Sequence, residues 1–428
     1  MNYVKISFRS LILRWRQYIS LFFVCALGTG ISLSSLFLIN GMLNALSNKA
    51  KIYYGGDLQF LGGNRNLEFP DSREFIQKIS ALFPADAVVS PRFDFDAATS
   101  AFYYEGVGVR QRIIKGIDFS REQELFSKFN YIEGSAAEMA ETNGVLLSEG
   151  IARMLEVSCG DSITFMLMTA HGYTNTVQLI VKGIFQDSSV FGLYTSYVDI
   201  GFLRSAFSAP EFFANRIGIF FPETGVKKSA VPKYQKLLET QFTMYRLVDD
   251  KYEFYNELLG GKLESPTYAL IPLDANMEEL RIVIDAMKII TAFVIITLIL
   301  IIVVGISSTY RVIVMKRINE IGIYKAIGME RTSVIMLLLS ETAILLAAGC
   351  ACGLGLCAAI CLTIQKFTFA FIPAFDIFLT DGHIIPLPDP AGTAALFAIV
   401  IVTTVSAVMF SVWKAIKITP VQALGITE

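Results

Sequence analysis

Four stretches of the chain run almost without charge, at 18–42, 289–310, 333–364 and 391–413. The first has no charged residue over its whole length and exceeds the ~20 residues that cross a hydrocarbon core. All four read as transmembrane helices. Between the first two the pattern changes to short runs rich in β-branched and aromatic residues, as at 87–95, 162–168, 176–185 and 216–221, which predict strands. Helical candidates alternate with them; Ser148 can cap one whose apolar face is Ile151, Met154 and Leu155. The pattern therefore predicts a membrane protein of four transmembrane α-helices with a large α+β extracytoplasmic domain between helices 1 and 2. The expected divisions are an amphipathic N-terminal segment 1–17, a first span 18–42, an α+β domain 43–280 of one or two subdomains, and a stalk helix with second span 281–310. There follow a connection 311–332, a third span 333–364, a loop 365–390, a fourth span 391–413 and a tail 414–428. With Asp274 as cap and no Pro or Gly after it, the stalk and second span predict one helix of about 35 residues, roughly 50 Å long, which serves as a lever or as a rigid stalk.

Composition agrees with this: 54% of residues are hydrophobic and 17% charged, against about a quarter charged in soluble domains. The first apolar run is too long for a signal-peptide core and lacks a small-residue cleavage pattern, so it reads as an uncleaved anchor. Charge sets the orientation, because short cytoplasmic segments hold excess Lys and Arg. Segments 1–17, 311–332 and 414–428 carry eleven basic residues to three acidic, whereas 43–280 carries 22 to 30. Both termini and the middle connection are thus expected in the cytoplasm. Trp15, Tyr18, Tyr310 and Trp413 would be aromatic anchors at the cytoplasmic ends of the helices. Five of the six cysteines fall within apolar runs, leaving Cys159 alone in the outer domain with no partner for a disulfide. No basic stripe with interleaved aromatics suggests a nucleic acid.

Candidate chemistry is sparse. No GxxxxGK[ST] occurs, so ATP is not bound through a P-loop. His171 and His383 lie outside any metal-ligand spacing, and no catalytic triad stands out. Gly349 and Gly353, with Ala26, Gly30 and Ser34, are small residues four apart that let helices approach closely in lipid. Glu341 lies about nine residues into the third apolar run; an ionisable group there is either functional or a hydrogen-bonding partner in a polar bundle interior. The densest pattern is MKRINEIGIYKAIGMERTSV. Met315, Ile318, Ile321, Tyr324 and Ile327 recur every three residues, with Lys316, Arg317, Glu320 and Lys325 on other faces and Gly328 able to end the helix. Such a helix lies in the headgroup region or docks into a groove on a cytoplasmic partner.

The stretch 316–341, KRINEIGIYKAIGMERTSVIMLLLSE, resembles the FtsX-like permease family of ABC transporters, which includes lipoprotein-releasing permeases and macrolide exporters. The tail ITPVQAL, the basic start FRSLILRWRQYIS and the run GVLLSEGIARMLEVSCGDSITF with KGIF carry the same resemblance. It implies a permease without its own ATPase site. Two copies of a separate ATPase subunit, holding ATP and Mg, would work with two permease chains, the second identical or homologous. Lys316, Arg317, Glu320, Ile321, Gly322, Tyr324, Lys325 and Gly328 would form the coupling helix seated on the ATPase. Asn40-Gly41-Met42 is similar to the Asn-Gly-Phe of lipoprotein-releasing permeases, which points to extraction of lipoproteins from the bacterial inner membrane and transfer to a periplasmic acceptor. A lipid anchor would then meet Phe37, Ile39, Met42, Ile289 and Phe293. The alternatives are efflux of a drug or peptide, and a signalling permease that activates a cell-wall hydrolase. No bound cofactor or metal is expected.

Overall fold

The computed structural model describes residues 3–64, 67–187, 189–193, 195–221, 225–369 and 373–415. The tail motif at 418–424 lies outside them. The chain divides into two compact units, one of residues 1–43, 284–368 and 384–428, the other of 44–283 with 369–383.

The first unit is helical. It comprises α1 (Tyr3–Leu13), the first part of α2 (Trp15–Tyr54), most of α11 (Glu278–Lys316), α12 (Ile318–Ala326), α13 (Arg331–Ile364) and α14 (Pro390–Ala415). α2, α11, α13 and α14 are long and apolar enough to cross a membrane. Their common core contains Leu21 and Leu33 of α2, Ile302 and Ile306 of α11, Leu338 and Leu346 of α13, and Val400 of α14. The two small-residue stripes meet each other. A side chain on Gly353 would run into the Thr29 side chain, the Ala26 carbonyl oxygen at 2.9 Å and the Gly30 amide nitrogen at 3.0 Å, so α2 and α13 cross with their backbones nearly touching. Two hydroxyl groups of α2 in this apolar setting are satisfied by their own helix: Thr29 donates to the Cys25 carbonyl at 2.7 Å and Ser32 to that of Gly28 at 2.8 Å, the i−4 bond that removes a donor from lipid. Asp389 accepts from the Gly392 amide at 3.0 Å and caps α14.

Tyr18 and Tyr310 do not act as interfacial anchors. Both are buried among the helices, and the Tyr310 hydroxyl donates to the Leu338 carbonyl at 2.9 Å, whereas Trp15 and Trp413 are exposed. The continuous helix expected from a cap at Asp274 is interrupted. Leu273–Asn276 form a separate turn, α10, and Met277 leaves helical geometry at φ −86°, ψ 16°. Lys251 donates to the Asn276 carbonyl at 3.1 Å and Asn276 gives its amide to Gln59 at 3.0 Å; a carbonyl so engaged is diverted from the helical ladder, and α11 begins at Glu278.

The second unit is built on one twelve-stranded mixed sheet. Its strands are β1 (Leu58–Gly63), β2 (Val88–Asp96), β3 (Ala101–Tyr104), β4 (Val107–Arg110), β5 (Ile113–Ile117), β6 (Tyr131–Gly134), β7 (Gly144–Ser148), β8 (Ser162–Met168), β9 (Thr174–Phe185), β10 (Thr195–Asp199), β11 (Arg216–Phe220) and β12 (Thr267–Pro272). They lie in the order β12-β1-β11-β2-β5-β10-β7-β9-β8-β3-β4, with β6 added beside β9. β5 with β10 and β7 with β9 are parallel; the other pairs are antiparallel. Helices α3 (Ser72–Leu82), α4 (Phe119–Ser127), α5 (Glu149–Leu155), α6 (Val190–Leu193), α7 (Ile200–Phe207), α8 (Val231–Leu238) and α9 (Lys251–Leu259) cover it. Period-two burial shows the cause in β8, where Ile163, Phe165 and Leu167 are buried and Ser162 and Met168 exposed. The Ser148 hydroxyl accepts from the Ile151 amide at 3.4 Å as the cap of α5. Met154 departs from expectation: it is exposed, and only Ile151, Ala152 and Leu155 of α5 are buried. The segment 369–383, expected within a loop joining two spans, belongs to this unit. There Lys49 donates to the Asp376 carboxylate at 2.9 Å.

Two sets of charges at the centre of the sheet are paired. Asp94 accepts from Lys115 at 2.8 Å and Arg216 at 2.9 Å. The Lys115 ammonium also lies 4.4 Å from the Tyr53 ring centre. Burial pushes that ammonium down to about 8 despite the pull of Asp94. Arg92 pairs with Glu122 and gives a further N–H to the Ile52 carbonyl at 2.9 Å.

Candidate functional site

The highest density of charge in the helical unit lies where α1, α2, α11, α12 and α13 come together. Arg14 occupies the turn between α1 and α2, and Arg317 the break between α11 and α12. Arg14 grips Glu320 of α12 with both terminal nitrogens, one at 2.9 Å, the bidentate geometry that makes such pairs strong. Arg317, only 4% exposed, divides its guanidinium. Nε donates to Glu320 at 3.2 Å, while Nη1 donates to Glu341 at 2.6 Å and to the Tyr18 hydroxyl at 3.0 Å. The Tyr18 hydroxyl in turn donates to Glu341 at 3.2 Å. α1 is fastened nearby through Ser7, which donates to the Leu337 carbonyl at 3.1 Å.

Burial pushes the Glu320 carboxyl up, but hydrogen bonds from Arg14 and Arg317 outweigh it and hold the group below its ordinary range. Glu341 is fully buried, and its second oxygen, Oε1, has no hydrogen-bond partner among the described residues. The cluster holds two arginines and two carboxylates, so its charges cancel. Removing one partner of the buried Arg317–Glu341 pair costs about 3–5 kcal/mol because the other charge is left behind.

This arrangement alters the expected coupling helix. Met315 and Lys316 complete α11, so they do not belong to α12. The three-residue stripe is split: Ile318 and Ile321 are buried with Gly322, Tyr324 is half-buried, and Met315 and Ile327 are exposed. A 3.6-residue period broken at Arg317 cannot keep five positions in one line. The outward face of α12 and the turn after it is Asn319, Ile323, Ala326 and Ile327. Glu320 spends its carboxylate inside the protein. The chain then turns at Gly328, and the side chain of Lys325 lies outside the described atoms. Arg14 and Tyr18 are site members that sequence reasoning missed; an uncompensated Glu341 in an apolar helix was the signal that a cationic partner had to exist.

A second feature lies between α2 and α11, within the helical unit. Leu38, Ile39 and Met42 face Met287, Ile290 and Val294 across an apolar groove of about 320 Å³. Of the α2 candidates, Ile39 and Met42 line this groove and Phe37 is turned into the helix core. Ile289 and Phe293, 68% and 69% exposed, sit outside the groove. Residues 287, 290 and 294 share one helical face, and 289 and 293 lie on the next. Gly41 has a packing explanation: a Cβ there would strike the Ile385 carbonyl, where residues 385–387 run along α2 and the Leu387 amide donates to the Phe37 carbonyl at 3.0 Å.

No curated protein matches the chain. The family model described as FtsX-like permease C-terminal matches residues 289–420, which takes in most of α11, all of α12 and α13, and α14. Through this region, which holds Arg317, Glu320 and Glu341, the chain is similar to the FtsX-like permeases.

Proposed function

We propose that the chain is the permease subunit of an ABC transporter that extracts lipoproteins from the bacterial inner membrane and passes them outward to a periplasmic acceptor. Two copies of a separate subunit hydrolyse ATP with Mg, and a second permease chain, identical or homologous, completes the membrane path. The reading is supported above all by the apolar groove beside Asn40-Gly41-Met42. Its six apolar side chains suit an acyl chain, which needs no hydrogen bonds. In this reading both termini and α12 are cytoplasmic, and the sheet unit is periplasmic. A photoreactive residue at Met42 of the full chain in native membranes is expected to give adducts with acylated proteins. Adducts with a soluble peptide, a drug or a cell-wall hydrolase in their place overturn lipoprotein release.

The ATPase subunit would rest on the outward face of α12. Ile323→Glu and Ile327→Glu place a charge in that contact and are expected to reduce the copurifying ATPase about tenfold or more, the loss of one hot-spot side chain. Undiminished copurification in both variants would move the ATPase contact elsewhere.

A further inference from the structure

We infer that Arg317 is a positioning residue that locks α12 onto α13, and that Glu341 is present in the third long helix as its counter-charge. This inference rests on the reading of α12 as the helix that receives motion from the ATPase.

The geometry distinguishes this lock from an ordinary stabilising pair. Arg14 and Glu320 meet fork to fork, whereas Arg317 spreads one guanidinium over two carboxylates on two helices, Glu320 of α12 through Nε and Glu341 of α13 through Nη1. A planar side chain with several fixed N–H directions suits this span, whereas the ammonium of a lysine is a compact point charge on a flexible stem. Glu341 puts both of its hydrogen bonds on one oxygen and leaves Oε1 bare. A carboxylate selected for stability alone would use both oxygens, as Glu320 does. A buried ion pair gains little over apolar packing, so its presence asks for a use other than stability. The partners also argue against proton transfer: Glu341 bonds to a guanidinium and a tyrosine hydroxyl, and no chain of carboxylates or histidines leads away from it among the described residues.

α12 is nine residues long, too short to hold its own helix in water. Its placement depends on what grips it. The buried Ile318 and Ile321 supply an apolar seat, and Glu320 is held from two sides, by Arg14 at the α1–α2 turn and by Arg317. Through Arg317 the hold reaches Glu341, so a push on α12 is delivered to α13 without slack.

Hydrogen exchange of the full chain in lipid nanodiscs tests the lock without any ATPase present. Arg317→Lys keeps the charge balance and removes the bridge. It is expected to accumulate like wild type while the amides of residues 318–326 exchange about tenfold faster or more, with α14 unchanged. Glu341→Gln should show the same local loosening. Unchanged exchange in both variants overturns the inference. Should either fail to accumulate, Arg317→Met combined with Glu341→Leu removes both charges together. Fast exchange of α12 in that double variant supports the lock, and wild-type exchange overturns it. Copurification from cells is read separately: a wild-type chain that brings down no ATPase subunit defeats the transporter reading, while the exchange result still decides the lock.

Discussion

Gly353→Val is expected to prevent the helical unit from assembling, seen as loss of the folded, monodisperse chain from detergent extracts. The added side chain would meet Thr29 and, at 2.9 and 3.0 Å, the backbone of Ala26 and Gly30. Overpacking in a core costs typically 1–3 kcal/mol when side chains can give way. Here the obstacle is the backbone of α2, which can yield only by moving away from α13, so the cost should reach or exceed the upper end of that range. Gly355 supplies the control: it lies two residues further along the same helix, and a Cβ there meets nothing within 4 Å. Gly355→Val should extract and run like wild type. Equal behaviour of the two variants would refute the close crossing of α2 and α13.

The second large effect belongs to the sheet. Asp94→Asn leaves Lys115 buried and Arg216 half-buried without their shared carboxylate, at a cost of about 3 kcal/mol. Pulse proteolysis of the full chain should show residues 44–283 cleaved at markedly lower denaturant. The effect has a defined pH dependence. Burial pushes the Asp94 carboxyl up, but Lys115 and Arg216 outweigh it and hold the group below its ordinary range. A carboxyl depressed in the folded state stabilises fully above its unfolded pKa, near 3.9, and that contribution is lost as pH falls below it. Wild type and variant should therefore differ most at neutral pH and converge in acid. A gap that persists in acid would mean that Asp94 acts through something other than its charge.

What could be read from the sequence follows from how local each signal is. The four long helices and strands such as β8 announce themselves through length and period, because burial on one face is written into neighbouring residues. The partner of each strand is not written there: β1 pairs with β12 across some two hundred residues, and nothing near Leu58 names Pro272. The same limit applied at the site. Glu341 stood out because a carboxylate in an apolar helix is costly, yet Tyr18 and Tyr310 looked like interfacial anchors, since an aromatic near a helix end has the same local pattern whether it meets lipid or three other helices. Arg14 looked like one more basic residue of a positively charged segment. In the groove, Ile39 and Met42 of α2 face Met287, Ile290 and Val294 of α11, one position round the helix from Ile289 and Phe293, a rotation of about 100° that only the neighbouring helix decides.

The strand order also determines how the sheet meets any extended chain that comes near it. An open edge is a template for another strand, and the three edges of this sheet among the described residues are covered, short or bulged. β12 is covered by a backbone bridge from Met244, with the Tyr245 amide donating to Tyr268 at 2.7 Å. β4 is four residues long, with Gly108 in its middle and Arg110 at its end. β6 is bulged between Tyr131 and Glu133. Among the described residues, an extended polypeptide passing close by therefore meets one covered edge, one bulged edge and one only four residues long.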